Sequence, residues 1–200
     1  MYPLSYATTN DHTDAALLLL RHGANSCNRG LLYDCPIIMA AKNNNPTLVK
    51  ELLYHGATAD STDVDGLTPL HYMSRSGHND VVRILIEHGA DVDQRDDYTF
   101  TPLYYACCRG HIDVVKTFID TGKVDINATC TNYQWPPLYT ACLHMHIDVI
   151  KLLIANGANI NVTNSKGASM LSKLSARKYR EVVALLKEYG CTSNNTTESM

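Results

Sequence analysis

Apolar residues recur along this chain at helical spacing, and each group ends at a glycine. Ala15, Leu48, Val81, Val114, Val149 and Val182 stand eight positions before a glycine; Ala16, Val49, Val82, Val115, Ile150 and Val183 stand seven before. Leu19, Leu52, Leu85, Phe118, Leu153 and Leu186 stand four before. Offsets of three and four place these side chains on one face of a helix. The glycines themselves, Gly23, Gly56, Gly89, Gly122, Gly157 and Gly190, follow at intervals of 33, 33, 33, 35 and 33 residues. Each fits the left-handed position that closes a helix.

A second marker keeps the same period. Pro3, Pro36, Pro69, Pro102 and Pro137 are separated by 33, 33, 33 and 35 residues. Proline suits the first helical position, where its missing N–H costs nothing, so each predicts a second, shorter helix. Thr68 and Thr101 precede two of them as N-caps. Ala7, Ala40, Met73, Ala106 and Ala141 follow four positions later, and small or slim residues there let paired helices approach closely. Turn-rich segments such as 91–101 join one unit to the next. The interval of 35 has its cause in one residue added within 122–127 and another within 127–137. A fixed period of this length marks a stacked repeat.

Thr68-Pro69-Leu70-His71, Gly77-His78 and the run from Ile84 to Gly89-Ala90-Asp91 resemble the ankyrin repeat. The match recurs at Thr101-Pro102-Leu103 with Gly110-His111, and at Pro137-Leu138 with Gly157-Ala158-Asn159. The resemblance spans residues 2–190 and implies an all-α solenoid of stacked helix-turn-helix units joined by short β-hairpin loops. Six repeats are expected, at about 1–25, 26–58, 59–91, 92–126, 127–159 and 160–190, followed by a disordered polar tail over 191–200. The first repeat lacks a polar cap. Either Met1 begins a bare end or the chain continues a longer solenoid, and Leu4, Leu17 and Leu20 are expected to face solvent there. In the last repeat Met170 replaces proline, and Ser172, Lys173, Ser175, Lys178 and Arg180 make it polar, as a cap would be.

Composition narrows the function. Hydrophobic residues make up 45% and charged residues 18% of the 200 positions, a globular balance. The formal net charge is −3 and there is no basic block, which argues against a nucleic-acid partner. The N-terminus has no basic n-region, so no signal peptide is expected. The longest apolar run, Ala15 to Leu20, is far short of a bilayer span, so no membrane partner is expected. Seven cysteines form no disulfide framework and read as reduced thiols of a cytoplasmic or nuclear monomer.

Neither enzyme chemistry nor a cofactor follows from the motifs. His12, His78, His111 and His146 share one repeat position and His22, His55 and His88 another, so register explains them better than metal coordination does. Cys107 and Cys142 take small-residue positions and are expected to be buried; Cys108 is at a position the repeat leaves open. The family resemblance also brings in asparaginyl hydroxylation, with Asn127 and Asn161 at the matching positions. The plainer role of both asparagines is in the hairpin turn.

The resemblance implies binding of a partner protein by the concave face of hairpin tips and short helices. In repeats three to five the positions left open there include Tyr72, Tyr98, Phe100, Tyr105, Arg109, Tyr133, Trp135 and His144. Tyr, Trp and Arg dominate interface hot spots, so these eight form the candidate contact patch. The competing reading is that some of the aromatics merely cover a neighbouring hairpin. Three functions are therefore weighed: a non-catalytic interaction scaffold, which is preferred; a substrate-recruiting arm of an enzyme complex such as a ubiquitin ligase, whose docking box the ten tail residues leave no room for; and an enzyme, for which no motif speaks.

Overall fold

A computed structural model of the protein describes residues 2–27, 35–130, 134–174 and 177–192. The helices come in pairs: α1 (Pro3–Thr9) with α2 (Thr13–Arg21), α3 (Pro36–Lys42) with α4 (Pro46–Tyr54), and α5 (Pro69–Ser76) with α6 (Asn79–Glu87). Then follow α7 (Pro102–Arg109) with α8 (Ile112–Asp120), α9 (Pro137–Leu143) with α10 (Ile147–Ala155), and α11 (Met170–Lys173) with α12 (Arg180–Glu188). Among the described residues no helix is long and apolar enough to cross a membrane.

The elements form for the reasons the sequence suggests. Proline opens α1, α3, α5, α7 and α9. The Thr68 hydroxyl accepts from the N–H of His71, and that of Thr101 from Tyr104. The odd-numbered helices from α1 to α9 stack on one another, and the even-numbered ones from α2 to α10 form a second row. Leu48, Val49, Leu52, Val81, Val82, Leu85, Val114, Val115, Phe118, Val149, Ile150 and Leu153 are buried between and within the rows. α4, α6 and α8 each pack on their own short helix and on the long helices before and after.

The ends of the stack show which side faces which neighbour. Ala15 is exposed although its equivalents in the later repeats are buried, so that position faces the preceding repeat. Val183 is half-buried where Val49, Val82, Val115 and Ile150 are fully covered, so that one faces the following repeat. The expectation that Leu4, Leu17 and Leu20 face solvent needs correction. Leu4 and Leu20 are 3% and 1% exposed and Leu17 is half-buried. Their faces turn inward toward α3 and α4, which pack on α1 and α2. The large apolar residues that the described part of the first repeat presents to solvent are Tyr2, Tyr6 and Leu18.

The hairpin loops close without regular strands among the described residues; the isolated bridge is Thr163 with Ser169. In repeat three Asp63 N–H donates to the Leu67 carbonyl at 3.1 Å, and in repeat four Asp96 N–H donates to Phe100 at 3.1 Å. Asp97 N–H donates to the Asp65 carbonyl at 3.1 Å and ties the two loops together. At the far end Cys191 is buried, its thiol donates to the Ile160 carbonyl, and Thr192 N–H donates to the Asn161 side chain. Cys191 and Thr192, expected in the disordered tail, are thus bonded to the last loop; the rest of that tail, 193–200, lies outside the described residues.

Candidate protein-binding surface

The loop tips of repeats three and four are built on one carboxylate each. Asp63 Oδ1 accepts from the N–H groups of Asp65 and Leu67, both at 3.0 Å. Asp96 Oδ1 accepts in the same way from Tyr98 and Phe100, both at 2.9 Å. The second carboxylate oxygen takes a tyrosine hydroxyl from the following short helix: Tyr72 donates to Asp63 at 2.5 Å and Tyr105 to Asp96 at 2.6 Å. Burial, and then the bond to the carboxylate, holds both phenols protonated well above the usual tyrosine range. Two of the candidate contact residues thus fasten tip to helix, with only part of each ring left to a partner. The Lys42 ammonium lies 4.2 Å above the Tyr72 ring, close enough for a cation–π attraction.

Phe100 and Trp135 are engaged inside the fold. The Phe100 ring stacks on Tyr104 with centroids 4.2 Å apart, and Trp135 stacks on Tyr139 at 4.0 Å. Trp135 is only 8% exposed and belongs to the hydrophobic core. Phe100 and Trp135 occupy the position that Leu67 takes in repeat three. Their partners Tyr104 and Tyr139 take the position of His71. That histidine is fully buried. Its Nδ1 accepts from Thr68 N–H at 3.1 Å, so Nε2 carries the proton and donates to the Phe100 carbonyl at 3.1 Å. A hydrogen bond between loops in one repeat is thus replaced by aromatic stacking in the next two. The sequence held the signal in the paired exchange of Leu67 and His71 for two aromatics.

The remaining candidates divide by exposure. Tyr98 is 59% exposed at the tip of the repeat-four loop. Arg109 and His144 are exposed at the ends of α7 and α9. Tyr133 lies outside the described residues. Arg75, absent from the candidate set, is exposed on α5 and close enough to act electrostatically on both Tyr72 and Tyr105. Arg75 thus lies near Tyr72 and Tyr105 across α5 and α7, while Tyr98 stands on the repeat-four loop, Arg109 at the end of α7 and His144 on the next repeat.

Two of the repeated histidines bond to carbonyl groups of the preceding repeat. His111 Nε2 donates to Arg75 and His146 Nε2 to Cys108, each at 3.1 Å. Their rings fill the space where a Cβ on Gly77 or Gly110 would stand, 2.6 and 2.5 Å from the nearest ring atom. Asn127 and Asn161 link successive loops. Asn127 Oδ1 accepts from Asn159 N–H at 2.8 Å while its amide donates to the Gly157 carbonyl, and Asn161 Oδ1 accepts from Thr192 N–H at 2.9 Å.

Comparison with known proteins agrees with this architecture. A family model for ankyrin repeats (3 copies) matches residues 37–130, and one for ankyrin repeats (many copies) matches residues 109–154. No protein with a curated description matches the chain. Among solved structures, the ankyrin repeat domain of Bcl-3, described as a unique member of the IkappaB protein family, superposes with a TM-score of 0.86. That likeness covers 95% of this chain and 86% of the other at 24% identity, and it shows the fold. With its period, its paired helices and its matched repeats all in one register, this chain belongs to the ankyrin-repeat family.

Proposed function

We propose that this chain is a non-catalytic interaction module that holds a partner protein on the loop-tip and short-helix side of repeats three to five. Ankyrin repeats generally serve as protein-interaction modules, and fold alone does not name a partner. The observation that carries the reading is Tyr98. Its neighbours Phe100 and Trp135 are stacked into the fold, whereas Tyr98 stands 59% exposed on a tip held rigid by Asp96. An exposed aromatic on a fixed tip, with exposed Arg75 and Arg109 on the short helices of repeats three and four, is the side-chain mixture that anchors protein interfaces. Among the described residues, no ring contact holds Tyr98 in the packing of the repeat. The asparagines Asn127 and Asn161 have loop-linking bonds that give them a structural role, and hydroxylation there is a secondary proposal.

The test is affinity capture from lysate, quantified by mass spectrometry, with the natural chain beside Tyr98→Ala/Arg109→Ala. A second control, Lys116→Ala/Asp120→Ala, alters exposed residues of α8 on the opposite row. Loss of the same captured proteins with the first variant alone supports the surface; equal loss or equal retention with both rejects it.

A further inference from the structure

Cys108 and His144 stand at the junction of repeats four and five. Cys108 Sγ lies 3.9 Å from His144 Nε2, on the last turn of α7, at a partly exposed position. The direction of this contact is fixed by chemistry. His144 Nδ1 is 2.9 Å from the Thr140 carbonyl. A carbonyl only accepts, so Nδ1 carries the proton and Nε2 offers its lone pair to the thiol. His146, two residues on, donates from Nε2 to the Cys108 backbone carbonyl and so ties the two repeats together at this point.

The other cysteines are placed differently. Cys35, Cys107, Cys130, Cys142 and Cys191 are buried. Burial pushes the Cys107 thiol well up and that of Cys142 to about 12. Cys27 is exposed, but its thiol donates to the Gly56 carbonyl, which cannot take a proton. Cys108 thus combines access with a neutral imidazole directed at its sulfur.

We propose that Cys108 is the reactive thiol of this protein and a site of oxidation by hydrogen peroxide, with His144 as its proton acceptor. In the step, the thiol proton passes to His144 Nε2 as sulfur attacks one peroxide oxygen. An S–O bond forms and the O–O bond breaks. The departing hydroxide takes the proton back from the imidazolium, giving Cys108 sulfenic acid and water, with sulfur oxidised and the peroxide reduced. His144 beside the sulfur and Arg109 next in the chain both belong to the proposed contact surface, so the modification changes polarity there; the chemistry itself does not depend on that surface binding a partner.

The experiment uses the full chain under native conditions. Iodoacetamide labelling is followed in time and resolved by peptide mass spectrometry, comparing Cys108 with Cys27 in the same tube, and is repeated for His144→Gln. A parallel sample receives hydrogen peroxide with a sulfenate trap. Cys108 is expected to label roughly tenfold faster than Cys27, less than the hundredfold or more that a closely aligned proton acceptor supplies because the contact is 3.9 Å long, and to collect the trap first. In His144→Gln its rate falls to that of Cys27. Unlabelled Cys107 and Cys142 in every sample mark an intact fold; if the variant loses that mark, the rate ratio in the natural chain decides. Equal rates for Cys108 and Cys27, or a lead that survives in folded His144→Gln, overturns the proposal.

Discussion

The indole of Trp135 lies on the ring of Tyr139 at 4.0 Å with the planes 19° apart, and both belong to one repeat. One repeat earlier, Phe100 and Tyr104 meet at 4.2 Å and 14°. Since Trp135 is 8% exposed, its removal leaves a cavity at the foot of the loop and loses the stacking contact. Trp135→Ala is expected to lower stability by about 3 kcal/mol, read as a shift in the urea midpoint. Tyr98→Ala should change the same midpoint by less than about 0.5 kcal/mol. Equal losses would mean that the tip, too, is part of the packing.

The turn between short and long helix holds a left-handed residue in each of the first five repeats. Gly77 and Gly110 supply it in repeats three and four, Asp11 and Asn44 in the first two, and Met145 at φ 58° in the fifth. Methionine pays a steric cost there that Asn, Asp and Gly largely escape. Met145 is 48% exposed, so little packing is lost with its side chain. Met145→Gly is expected to raise stability by about 0.5 kcal/mol after the greater freedom of glycine in the unfolded chain is subtracted. Gly110→Ala works in the opposite sense, because its Cβ would come 2.5 Å from the His146 ring. Thermal melts of both variants check the pair; a Met145→Gly variant that melts earlier contradicts the argument.

Asp93 occupies the loop-linking position that Asn127 takes one repeat on. Its Oδ2 accepts from Asp125 N–H at 2.8 Å, while Oδ1 is buried without a hydrogen-bond partner. Desolvation raises its pKa above the usual carboxylate value, and the charges of Asp125 and Asp91 add to the shift. A raised folded pKa means that the fold opposes ionisation. The penalty is absent below the unfolded value of about 4 and grows as pH rises above it. Asp93→Asn should therefore stabilise by about 0.5–1 kcal/mol at pH 7, with the gain fading toward pH 4. A gain of the same size at both pH values would assign it to hydrogen bonding alone.

His71 has the opposite behaviour with pH. Burial lowers its pKa below 6.5, outweighing the Phe100 carbonyl and nearby acids that favour the charged form. The folded state then binds its proton less readily than the unfolded chain. Stability from this residue is full above the unfolded value of about 6.5 and is lost as pH falls through the folded value. In an NMR titration the His71 ring should change charge below pH 6.5, with a falling urea midpoint over the same window. A titration above pH 6.5 contradicts a neutral ring bridging Thr68 and Phe100.

Much of the fold was legible because the repeat writes it several times. Pro69 and Pro102 with their threonine caps, and the apolar positions before each glycine, are local signals of helix start and packing face. The site was less legible, since exposure depends on what lies across a loop. Phe100 and Trp135 looked as open in sequence as Tyr98. Only the placement of Tyr104 and Tyr139 beneath them shows that the two are held in the fold. Likewise, the bond from Tyr105 to Asp96 joins residues nine apart through a loop whose path the period does not specify. The first repeat misled for a related reason: Leu4 and Leu20 face the repeat that follows, a direction that helical spacing alone leaves undefined.

The central claim is that binding and folding are carried by different aromatics on the same side of the molecule. It is tested most directly by lysate capture with Tyr98→Ala/Arg109→Ala and with the natural chain, at concentrations matched by circular dichroism for folded protein. The account predicts a full helical signal for the variant and loss of the captured proteins, by tenfold or more for an interface anchored at about 2 kcal/mol per residue. Undiminished capture by the folded variant would place the binding surface elsewhere and contradict the assignment.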